Sequence, residues 1–220
     1  MKLSSNQKRF FAELIGTFAI VVCATGSVVI NAQHGGRIGL WFEAFAPFVA
    51  VSLAVYAFGK VSMAHFNPAS TVMFLITRYM PKNQIFLYLS AETIGAFLAS
   101  LFVKFVIGTD ANLGANAPNH SYSLPVIFGV EVFVTAMLMT VILIVVHTKG
   151  LYGSSGLAIG GMVGLDIFFL SFISGASMNP ARSLAPAVLS WSLDDLWLYW
   201  TAPFVGAGIV AVLYKKFTKT

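Results

Sequence analysis

Charge is what this sequence has least of: 10% of its 220 residues are Asp, Glu, Lys or Arg, whereas 58% are hydrophobic. Ordinary soluble domains carry roughly a quarter charged residues, so a water-soluble fold is excluded, because too little polar surface is available to cover such a core. Cysteine is nearly absent as well. The one cysteine, Cys23, rules out an intrachain disulfide and falls inside an apolar run, where it reads as a packing residue. Also lacking are a nucleophile with its base, a paired-carboxylate site, a metal-ligand spacing, a phosphate loop and any cofactor motif. Neither an enzyme nor a cofactor is therefore expected. The net charge of +5 comes without a basic amphipathic stripe, which argues against nucleic acid as a partner.

What the sequence does have is apolar length. Six long segments fall at about 8–31, 40–59, 84–107, 124–147, 154–173 and 195–214, and roughly 20 apolar residues as a helix cross about 30 Å of hydrocarbon. The first, running from Phe10 to Ile30, is too long for a signal-peptide core and lacks a small-residue cleavage site, so it reads as a retained span. Two shorter segments begin at Asn67 and Asn179 and continue for only about ten residues, half of what spanning requires. Each predicts a half-helix. Six spans put both termini on one side of the bilayer. Lys2, Lys8, Arg9, Lys60, Arg78, Lys82, Lys149, Lys215, Lys216 and Lys219 all fall at the termini or in the second-to-third and fourth-to-fifth connections, against Arg37, Lys104 and Arg182 elsewhere. The positive-inside rule makes the termini cytoplasmic and leaves Asp110, Asp194 and Asp195 outside. Lipid is the expected partner of the outer surface, and the cell membrane the expected location.

The two halves echo each other. Glu13-Leu14-Ile15-Gly16-Thr17 corresponds to Glu131-Val132-Phe133-Val134-Thr135, and a small-residue pattern from Ala91 to Ala96 around Gly95 corresponds to Ala202 to Ala207 around Gly206. One transmembrane domain over 1–220 is expected, with one repeat at about 8–110 and the other at about 124–217. Three spans per half is an odd number, so the second copy enters the membrane upside down. Gly156, Gly160 and Gly164 follow a small-xxx-small spacing suited to close helix packing, and Asn119-His120-Ser121 matches a glycosylation acceptor in an outer connection.

The chemistry collects at Asn67-Pro68-Ala69 and Asn179-Pro180-Ala181. Irregular backbone at membrane depth is tolerated only when buried in protein or lining a wet cavity. Proline suits a first helical turn because its missing N–H has no intrahelical partner there, and the asparagine before it caps the helix while leaving side-chain donors free. Inverted half-helices meet with their N-termini near the midplane, each carrying about half a positive charge. Cations are repelled there and neutral solutes are not. Two amide donors beside apolar walls would hold a passing water by its oxygen and interrupt a proton wire.

Together with Ala12-Glu13-Leu14-Ile15-Gly16-Thr17-Phe18, His65-Phe66-Asn67-Pro68-Ala69 and Ser177-Met178-Asn179-Pro180-Ala181-Arg182-Ser183, these features resemble the major intrinsic protein (aquaporin) family over nearly the whole chain. The resemblance implies an all-α membrane protein, a right-handed bundle of six transmembrane helices plus two half-helices in an inverted 3+3 repeat. It implies a pore in each protomer of a homotetramer, passing water and small uncharged solutes. It also implies an outer selectivity filter, which falls on Pro47, Ile167, Ala176 and Arg182. Pro47 stands where water-selective relatives place an aromatic ring, and Ile167 where they place histidine; a shift of one residue would put Phe48 in the first position. Glu13 and Glu131, which as intramembrane acids also suit a proton relay, are by resemblance acceptors that support the half-helix loops. His65 likewise holds its loop by resemblance, the alternative being a pH gate.

Asp166, beside Ile167, is a possible pore acid, since an acid within a span is a functional-site hypothesis by default; it has three readings: a partner for Arg182, a water site, or a contact with a neighbouring helix. Ser183, Ala187 and Tyr199-Trp200 resemble the water-channel branch, while the filter positions depart from it. Glycerol, hydrogen peroxide, ammonia and a metalloid acid stay open as further solutes. An ion-coupled secondary transporter, with a site at Asp166 and Glu92, is the alternative from another class.

Overall fold

The computed structural model describes residues 3–218. Lys2 and Lys219, counted above among the cytoplasmic basic residues, lie outside the described residues. Eight α-helices carry the architecture: α1 (Ser5–Gln33), α2 (Leu40–Ser62), the short α3 (Pro68–Ile76), α4 (Ile85–Phe102), α5 (Leu124–His147), α6 (Ser155–Ser174), the short α7 (Pro180–Ser190) and α8 (Leu196–Thr218). Six stretches are long and apolar enough to cross a membrane, and no strand occurs among the described residues. The half-helices start one residue after Asn67 and Asn179 because each asparagine is extended and caps the turn that its proline opens. α1 begins instead on a reciprocal cap, in which the Ser4 hydroxyl accepts from the Gln7 N–H and the Gln7 side chain accepts from the Ser4 N–H.

Polarity is turned inside out relative to a soluble protein. Glu13, Glu92, Glu131 and Asp166 are buried, whereas Phe86, Phe105, Phe169 and Val212 are exposed, as a surface facing hydrocarbon requires. With lipid as apolar as leucine, close backbone packing has to hold the helices together. A Cβ on Gly95 of α4 would lie 2.5 Å from the Leu14 carbonyl of α1, and one on Gly206 of α8 would lie 2.5 Å from the Val132 carbonyl of α5. The same contact thus recurs in both halves. The halves join through α2 against α6, α3 against α8, and α7 against α4.

Past Phe102 the fourth helix continues as one wider turn, Val103–Ile107, closed by a bond from the Gly108 N–H to the Val103 carbonyl. Then Ala111, Asn112 and Leu113 turn in the left-handed region, which costs a non-glycine residue about 1–2 kcal/mol. Leu113 is buried and Gly114 lies against the Thr25 backbone. This packing holds the connection between α4 and α5 against α1 and α7 and brings residues 115–117 into the molecule.

Candidate pore

The two Asn-Pro-Ala turns touch. The Asn67 side-chain oxygen accepts from the Ala69 N–H at 2.9 Å, and that of Asn179 accepts from the Ala181 and Arg182 N–H groups at 3.0 and 3.3 Å. Their amide nitrogens reach across. Asn67 Nδ2 donates to the Met178 carbonyl at 2.8 Å, and Asn179 Nδ2 donates to the Phe66 carbonyl at 2.9 Å. A carboxamide has two N–H donors; one from each asparagine clasps the opposite loop, and both asparagines line the cavity described below.

The loops ahead of these turns share a backbone. Residues four, three and one before each asparagine have positive φ: Met63, Ala64 and Phe66 in the first copy, Gly175, Ala176 and Met178 in the second. Such conformations persist when surrounding structure over-determines them, and here buried carboxylates do so. Glu13 accepts from the His65 and Phe66 N–H groups at 3.0 and 2.6 Å. Glu131 accepts from the Ser177 and Met178 N–H groups at 3.2 and 2.6 Å, and from the Ser174 hydroxyl. His65 is packed at ring-centroid distances of 4.5 Å from Phe74 and 4.4 Å from Tyr88. Its Nδ1 lies 2.9 Å from the Thr71 hydroxyl, which donates its own proton to Glu92 at 2.6 Å.

A narrow cavity passes these turns, with about 60 Å³ of room for the centres of water-sized molecules. Pro47, Val51 and Val55 of α2 and Ile159, Val163 and Ile167 of α6 make an aliphatic wall at four-residue spacing, while residues of both loops supply polar groups. Beyond the first loop lies a second cavity of about 120 Å³, on the side of Lys60, that shares Val55, Ala64, Ile142 and Ile159 with the first.

Pro47, Ile167, Ala176 and Arg182 all line the narrow cavity. Phe48 does not: it borders a groove on the outer face between α2 and α6, near Phe45 and Gly164. Asp166 is absent from the cavity as well. It is buried and, among the described residues, makes no ion pair with Arg182; successive helical residues point about 100° apart, so the row Ile159, Val163, Ile167 turns Asp166 aside. In this arrangement Asp166 neither borders the narrow cavity nor pairs with Arg182.

Arg182 has a different partner. Its guanidinium Nη1 donates to Asn116 Oδ1, the Ser183 hydroxyl donates to the same oxygen at 2.8 Å, and Asn116 Nδ2 donates to the Gly175 carbonyl at 2.9 Å. Nothing in the local sequence around Asn116, which sits between Ala115 and Ala117 in the connection from α4 to α5, marks it out. The left-handed turn before it does the placing.

Comparison with known proteins agrees with this geometry. The family model described as major intrinsic protein matches residues 1–214. The chain is 36% identical over 208 residues to a probable aquaporin, NIP7-1, of Arabidopsis thaliana, covering 93% of this chain and 74% of that one. It is 35% identical over 215 residues to a second Arabidopsis thaliana protein, the probable aquaporin NIP4-2, covering 96% and 75%. In fold it is similar to the aquaglyceroporin from Plasmodium falciparum, with a TM-score of 0.79, 24% identity and 96% of each chain covered. Clasped half-helices, an aliphatic wall opposite polar loops and a match along nearly the full length lead to one conclusion: the chain belongs to the major intrinsic protein family and is a multi-pass membrane channel for water and small solutes.

Proposed function

We propose that this channel conducts water and other small uncharged solutes in single file, while excluding protons and ions, and that Pro47, Ile167, Ala176 and Arg182 are its outer filter. The observation that carries the reading is the reciprocal clasp of Asn67 and Asn179 beside a narrow cavity that both asparagines line. Two helix N-termini meeting there concentrate positive potential, which opposes cations. The remaining amide donor of each asparagine orients a solute oxygen. Arg182 adds a fixed cation with donors for the same oxygen. With proline and isoleucine as its other large members, the filter is apolar apart from the arginine, which suits solutes that carry carbon as well as oxygen. The protein works as a homotetramer in the cell membrane with both termini cytoplasmic, a placement supported by the distribution of Lys and Arg.

The test is reconstitution into lipid vesicles followed by an osmotic step with sucrose and then with glycerol. Faster volume change than protein-free vesicles, a low activation energy and no response to an ion gradient are expected. Saturation with solute and dependence on an ion gradient would point to a coupled transporter, and rates equal to protein-free vesicles in both steps would remove the channel reading.

A further inference from the structure

We propose that Ser70 is a specificity-determining residue of the channel, whose hydroxyl carries small hydroxylated solutes, of which glycerol is the probe, past the waist of the pore. The inference rests on the pore reading above and deepens it. Ser70 is the third residue after the capping Asn67, as Arg182 is the third after Asn179, and both line the narrow cavity. The two half-helices enter from opposite faces, so these matched positions flank the waist. Arg182 is tied to Asn116 through its guanidinium. Ser70 is held far less firmly: its hydroxyl is buried and donates only to the thioether of Met139 at 3.6 Å.

Sulfur is a weak acceptor. Giving it up for a solute oxygen sacrifices little, and a serine hydroxyl both donates and accepts. The other hydroxyl among the lining residues, Ser177, is engaged with Ser183 and with the Asn179 carbonyl, so it is not similarly available. The spanning helices add only aliphatic groups at this cavity, among them Val55, Leu138 and Ile142. A polyol that has shed water to enter therefore finds at Ser70 a partner for a hydroxyl group that the aliphatic wall cannot serve. Water, small enough to keep bonding its neighbours in file, depends on that partner less.

The experiment measures sucrose-driven shrinkage and glycerol re-swelling of vesicles holding wild type, Ser70→Ala, Ser70→Thr or Ser70→Val. Ser70→Ala is expected to keep the water rate within about twofold and to lower the glycerol rate about fivefold, the size of one neutral hydrogen bond. Thr and Val have nearly the same shape, so Ser70→Thr is expected to exceed Ser70→Val in glycerol rate by a similar factor even if both added methyls slow it. A glycerol rate in Ser70→Ala at or above wild type, or equal rates in the Thr and Val variants, would overturn the proposal by making Ser70 a matter of bore alone. So would a wild-type protein that passes water but no glycerol. Wild-type vesicles that shrink no faster than empty ones in sucrose would instead overturn the channel reading itself.

Discussion

The loops at residues 63–69 and 175–181 share one backbone and are furnished differently. Each bends through positive φ at the same three places, hangs on a buried glutamate and sends an asparagine amide to the other's carbonyl. Around that common frame the first loop is bordered by His65, Thr71 and Glu92, with Ser70 lining the cavity, whereas the second is bordered by Ser177, Ser183 and Asn116, with Arg182 lining it. The shared part places the two asparagines beside the cavity and, in the proposal above, supplies the positive potential that opposes cations. The unshared part is where the proposed filter and Ser70 lie, and so where the proposal above has neutral solutes told apart.

That division can be broken most forcefully at the glutamates. Glu13→Ala and Glu131→Ala each strand two buried backbone N–H groups, at about 1–3 kcal/mol apiece, beneath a strained loop. Both variants should lose monodisperse protein on gel filtration, with Gln in place of Ala recovering part of it. Loss in one copy only would show that the halves are not mechanically equivalent. Arg182→Val should keep the fold, since its Asn179 bond uses the backbone N–H, and should raise cation or glycerol leakage relative to water by roughly tenfold, the effect of about 1.4 kcal/mol. Unchanged selectivity would take Arg182 out of the filter. Asn116→Ala removes a positioning contact, not a filter group. It should shift the glycerol-to-water ratio by a smaller factor, about two- to threefold, and should have no further effect in an Arg182→Val background; additive changes would mean that Asn116 acts on its own.

Much of this frame is legible before folding is considered. Half-helices at Asn67 and Asn179 follow from segments half the spanning length, opened by Asn-Pro, and the equal contacts at Gly95 and Gly206 follow from the matched small-residue patterns. Asp166 is the opposite case. Sequence flags an intramembrane acid as functional, but the helix face it occupies is set by packing, and α6 presents Ile167 to the cavity. The choice between Pro47 and Phe48 is of the same kind: one residue of rotation decides which side chain meets the lumen and which meets the outer groove.

By itself, then, the sequence determined the membrane setting, the six spans, the inverted repeat and the capped half-helices, because these depend on segment length, local hydrogen bonding and charge count, all short-range properties. Only the tertiary structure decided the contacts that join distant parts of the chain: His65 to Glu13 across 52 positions, Asn67 to Met178 across 111, and Arg182 to Asn116 across 66. Those bonds form between groups that have no neighbours in common until the helices pack. Their selection is therefore written in the shape of the whole bundle and not in any segment of it.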